Sequence, residues 1–113
     1  MVLIRLPSGL KYRVLQPPRW DAPGPRRYDT VTVWCKGWLS HNGACGANVI
    51  PGQSFSFCVC NNEVMTGLDE GVLTMRVGEQ RRFFVPASLV DGMIADSIVP
   101  RTDVIIDVLL QET

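Results

Sequence analysis

The chain reads as an α+β domain, an antiparallel sheet of about five strands wrapped around one short α-helix. Short alternating segments rich in β-branched and aromatic residues recur along it. One stretch alone has helical spacing, with Leu68, Val72 and Met75 at i, i+4 and i+7 forming one apolar stripe. A content of 46% hydrophobic and 19% charged residues is enough to bury a core.

The elements follow in order. "GLKYRVLQ" sets Leu10, Tyr12 and Val14 against Lys11 and Arg13, a half-buried strand. "PPRWDAPGPRRY" is a proline-rich surface loop. "DTVTVWCKGWL" is the second strand, and "SHNGACGANVIPGQ", punctuated by Gly, Asn and Pro, reads as loop. "SFSFCVC" is a short strand whose cysteines, Cys58 and Cys60, alternate onto one face. After "NNEVMTG" the helix occupies "LDEGVLTMRV" and a Val-Gly turn follows. "QRRFFVP" returns as a strand, "ASLVDGMIADSIVPR" is a long loop, and "DVIIDVLLQ" closes the sheet. There is no internal repeat, and 113 residues predict one domain, 1–113.

Composition also narrows function. Eleven basic and eleven acidic residues cancel, so neither nucleic-acid nor membrane-surface binding is expected. Arg5 and Pro7 interrupt the apolar start before a signal-peptide core could form, and a cytoplasmic protein is expected. Cys35, Cys45, Cys58 and Cys60 lack the paired spacing of a zinc site, so they are read as reduced thiols with no metal and no cofactor. Trp34 and Trp38 project away from Cys35, one expected in the core. Trp20 and His41 belong on the surface. Of Arg81 and Arg82, one is read as solvated and one as paired with Glu79 or Glu70.

The order "PSGLKYRVLQ", "DTVTVWCKGWL", "GQSFSFCVC", "NNEVMTGLDEGVLTMRVGEQRRFFVP", "VPRTDVIIDVLL" resembles the FKBP-type peptidyl-prolyl cis-trans isomerases, from about Leu6 to Leu110. Gly67, Glu70, Gly71, Met75, Val77, Gly78, Glu79, Arg81 and Pro86 carry the family pattern. The resemblance implies a sheet bent around the helix and a proline-binding cleft between them. It implies no acid, base or nucleophile, because the cleft lowers the barrier by favouring a twisted, less polar amide.

Carried over residue by residue, the resemblance implies an eroded pocket. The first family tyrosine falls on Cys35 and the Phe-Asp pair on Cys45 and Gly46. Phe55 is kept, and the Val-Ile pair becomes Val64 and Met65, whose backbone N–H would hold a substrate carbonyl. The tryptophan floor is Leu68, the loop tyrosine Asp91, and the last phenylalanine Ile106, with Ile98 completing the lining. An ionised Asp91 would repel a substrate carbonyl. Leu68 and Ile106 also read as plain core. The resemblance thus implies weak isomerisation of X-Pro bonds in proline-containing peptides and little or no binding of tacrolimus or rapamycin. The alternative is a non-catalytic interaction or chaperone module that holds a protein partner.

Overall fold

The computed structural model describes residues 2–94 and 97–113, the side chains of 93, 94, 97 and 98 excepted. Strands β1 (Ile4–Arg5), β2 (Lys11–Gln16), β3 (Thr30–His41), β4 (Ala44–Cys58), β5 (Gln80–Val85) and β8 (Val104–Glu112) form one open antiparallel sheet. Their order is β1-β2-β5-β8-β3-β4. Helix α1 (Thr66–Leu73) follows β4, and β6 (Met93–Ile94) and β7 (Ser97–Ile98) pair separately. The α+β reading holds, with six strands in the main sheet. No described helix is long and apolar enough to cross a membrane.

Two departures from the sequence reading concern the same stretch. "SHNGACGANVIPGQ" is strand rather than loop: β3 and β4 form a long hairpin in which His41 pairs with Ala44. Asn42 (φ 52°) and Gly43 (φ 85°) make the two-residue turn, both at the positive φ that suits a type I′ hairpin. Pro51 is tolerated because β4 is an edge strand, where a missing N–H costs no ladder bond. The pairing shifts register between Cys35 and Gly37, Gly37 and Trp38, and Trp38 and Ser40. These irregularities bend β4 and leave carbonyls that Asn48 satisfies, its Nδ2 donating to Gly37 O (2.8 Å) and Ile50 O (2.9 Å). β4 also ends at Cys58. Cys60 lies beyond it in a turn at φ 64°, with Val59 fully buried between the two thiols.

The helix is shorter than its apolar stripe. It ends at Leu73, with Thr74 as C-cap, and Met75 follows in the turn although its side chain stays buried. Gly67 and Gly71 allow close approach to β5. A Cβ on either would come within 2.5 Å of Val85 or Phe83. Leu68 and Val72 bury the adjacent face among Leu10, Val31, Val33 and Leu110. After the helix, Gly78 at φ 88° turns the chain back, its N–H donating to Leu110 O.

Neither arginine of "RR" is solvated. Arg81 is buried and its Nε donates to Glu79 Oε2 at 2.6 Å. Its Nη1 and Nη2 reach Thr74 Oγ1 (2.7 Å) and Thr74 O (3.0 Å), so the guanidinium closes the helix C-terminus. The Tyr12 ring lies under it, 4.0 Å from centroid to Cζ. Arg82, on the outer face, is held bidentate by Asp107 at 2.7 and 2.9 Å. Asp107 escaped the sequence reading because cross-strand register is set by tertiary pairing: Arg82 lies opposite it on β8.

Arg81→Met should destabilise the protein by about 3–5 kcal/mol, because Glu79 would stay buried without its partner. The double change Glu79→Met, Arg81→Met should recover much of that loss. Urea midpoints of the three proteins check both statements.

Candidate functional site

The segment from Val59 to Thr66 enters the helix, and its path is set by carboxylates accepting from backbone N–H groups. Cys58 N donates to Glu63 Oε1 (3.1 Å) and Cys60 N to Asp69 Oδ1 (2.7 Å). Val64 and Met65 are thereby turned inward, and both are buried. Leu68 (1% exposed), Ile106 and Cys35 (both 0%) are buried in the same apolar cluster, and Phe55 packs half-exposed against it. Burial pushes the Cys35 thiol pKa up, so it sits in this cluster as a neutral, small apolar side chain.

Cys45 and Gly46 do not join this group. Both are exposed beyond the β3–β4 turn, Cys45 opposite Ser40, and a Cβ on Gly46 would lie 2.9 Å from Leu39 O. The register shifts of β4 bring Ile50 inward instead, fully buried over Gly37. Ile50, with Val90 and Val99 of the loop before β8, was missed by sequence reasoning. An alternating count through β4 was unavailable once that stretch had been read as loop. The Ile98 side chain lies outside the described residues.

Asp91 has a different task from the one its alignment gave it. Its Oδ1 accepts the Thr66 backbone N–H (2.9 Å) and its Oδ2 the Thr66 hydroxyl (2.7 Å). The carboxylate sits at the first turn of α1, where the helix leaves N–H groups unpaired and the dipole favours negative charge. Those two bonds hold its pKa below the ordinary carboxylate range. Gly92, next in sequence, lies against Met65: a Cβ there would be 3.1 Å from Met65 N and Cα.

The tryptophans lie outside this cluster. Trp34 and Trp38 are half-buried on the outer face, Trp34 over Gly52 and Trp38 beside Arg82 (5.6 Å) and Lys36 (5.7 Å). Neither is a core anchor, while Trp20 is 88% exposed and His41 exposed. All four cysteines are free, and no group of three or more potential metal ligands occurs among the described residues.

Comparison with known proteins gives one consistent answer. The family model for "FKBP-type peptidyl-prolyl cis-trans isomerase" matches residues 22–111. The chain is 34% identical over 82 residues to FK506-binding protein 1A of Neurospora crassa, covering 72% of this chain and 68% of that one. It is 32% identical over 108 residues to FK506-binding protein 2 of Dictyostelium discoideum, covering 94% and 78%. It spans only 29% of another relative, FK506-binding protein 4 of Dictyostelium discoideum, at 34% identity over 96% of this chain. Its fold matches the crystal structure of FkpA from Escherichia coli with a TM-score of 0.74 and 23% identity, over 97% of this chain and 50% of that one.

Asp91→Ala should cost about 1 kcal/mol at neutral pH, the usual effect of losing a helix cap. Because the folded-state pKa of Asp91 is depressed, its contribution is complete above the ordinary carboxylate pKa and fades as pH falls through the folded value. The difference in melting temperature between wild type and Asp91→Ala should therefore be largest near neutrality and shrink below about pH 4.

Proposed function

The chain belongs to the FKBP-type peptidyl-prolyl cis-trans isomerase family, and from that premise we propose that it isomerises X-Pro bonds slowly. The observation that carries this reading is that Val64, Met65, Leu68 and Ile106 share the apolar core against which the half-exposed Phe55 packs. Rotation about the prolyl amide has a barrier of roughly 18–20 kcal/mol, set by resonance. An apolar, water-poor surrounding disfavours the planar, more polar ground state relative to the twisted one. In this reading the proline ring meets Phe55, the one half-exposed member, beside Val64, with Leu68 and Ile106 buried beneath. The Met65 N–H then holds the flanking carbonyl.

Two features make the activity low. Leucine and isoleucine offer less contact area to the ring than aromatic side chains would. Leu68 and Ile106 are also buried, 1% and 0% exposed, so little of that floor is open to a ring. The same features predict little affinity for tacrolimus or rapamycin. The burial of Leu68 and Ile106 favours a second reading, a non-catalytic module that binds a protein partner outside the cleft. In neither reading does the chain require a cofactor. Cytoplasmic residence remains part of the proposal.

Magnetisation-exchange NMR on a short Ala-Pro peptide tests the two readings. Cis-trans exchange should accelerate in proportion to protein concentration, and proline-dependent shifts should appear at the amides of residues 64–68. Unchanged exchange at saturating protein would leave only the second reading. Leu68→Trp, inserted at a position 1% exposed, should overfill the cluster and lower stability by about 1–3 kcal/mol without raising turnover. A gain in turnover at unchanged urea midpoint would mean that the space above Leu68 is open.

A further inference from the structure

The outer face of the sheet is built against its own electrostatics. Arg5 on β1 pairs directly opposite Lys11 on β2, and Arg13 on β2 directly opposite Arg82 on β5. Like charges facing each other across strands oppose pairing, and here two such pairs lie side by side. Their neighbours Ile4, Tyr12 and Phe83 alternate to the other side, where Tyr12 and Phe83 are buried, so the cations share the outer face. Lys36 on β3 extends the row opposite Asp107. Asp107 is engaged by Arg82, and no carboxylate lies within ion-pair distance of Arg5, Lys11, Arg13 or Lys36 among the described residues. A molecule with no net charge thus concentrates five cations on one face.

At the β1 end this face opens into a cleft of about 620 Å³. Arg5 and Lys11 line it with Phe84, Pro86 and Val104, which supply apolar contact. Asp103 also borders it, one carboxylate against the two cations, its Oδ1 accepting the Ala87 N–H at 2.9 Å. The cleft lies at the end of β5; it borders the core at Val85 and Val104 but includes none of Phe55, Val64, Met65, Leu68 and Ile106.

We propose that this cleft binds an acidic peptide segment, its carboxylates on Arg5 and Lys11 and an apolar side chain on Phe84 and Pro86. Charge complementarity selects the occupant, since the unneutralised cations gain from carboxylates what the fold itself withholds. The apolar lining of Phe84, Pro86 and Val104 beside the two cations suits a peptide side chain better than a phosphate backbone.

The test is fluorescence anisotropy with a labelled, proline-free peptide alternating glutamate and leucine, which cannot report on X-Pro recognition. Saturable binding that weakens as salt is raised is expected. Arg5→Glu with Lys11→Glu should lower affinity about tenfold or more, a charge-reversal effect, while the urea midpoint and the X-Pro exchange rate stay unchanged. Should that pair disturb folding, Arg5→Gln with Lys11→Gln should lower affinity in the same direction with the fold intact. Amide shifts on titration should fall at Ser8, Gly9, Ser40 and Gly43. Absence of saturable binding at low salt, full affinity in a folded double variant, or equal competition by a single-stranded oligonucleotide would each overturn the proposal.

Discussion

The guanidinium of Arg81 is the fixed point of this fold. It belongs to β5, yet its hydrogen bonds go to Glu79 and to the last turn of α1, and its flat face lies on Tyr12 of β2. Helix and sheet meet nearby through glycines, Gly67 on Val85 and Gly71 on Phe83, a close contact that tolerates no drift. A buried charge that must find several partners at once has one satisfactory arrangement, and that arrangement fixes how far the helix slides along the strand. The placement of Leu68 over the sheet follows from it. At the other end of the helix, Asp91 performs the matching task on Thr66.

Between these two electrostatic anchors the apolar cluster around Leu68 and Ile106 is held tightly, and this bears on catalysis. A cleft that accelerates rotation of a prolyl amide needs no reactive group, only a dry surface of the right shape and one well-placed donor. Such a surface gains little from being closed.

Much of the fold was legible in the sequence because it is written locally. Alternation marks β2, β-branched and aromatic enrichment marks β3, and the spacing of Leu68, Val72 and Met75 marks the helix. The failures came where one residue type carries two meanings. Asn42-Gly43 looked like loop punctuation and is a hairpin turn, which cost the reading of β4 and, with it, of Ile50. Cys45 and Gly46 take their pocket positions from the resemblance alone, and the register shifts of β4 decide which of its residues face the core. Asp91 aligned with a pocket position, but its partner is a backbone N–H 25 residues earlier in the chain, a contact with no sequence signature. Arg82 and Asp107 show the same limit, since a cross-strand pair is visible only once the register is known.

The bulged hairpin has a further consequence for life in a crowded solution. An open sheet ends in strands that each offer a row of unsatisfied backbone groups, and β4 is long enough to recruit a neighbour's strand. Its three register shifts and Pro51 break that row into short stretches that face in different directions. A second strand could match only a few residues before losing step. The irregularities that obscured β4 in the sequence therefore also guard the protein against polymerising through its own edge.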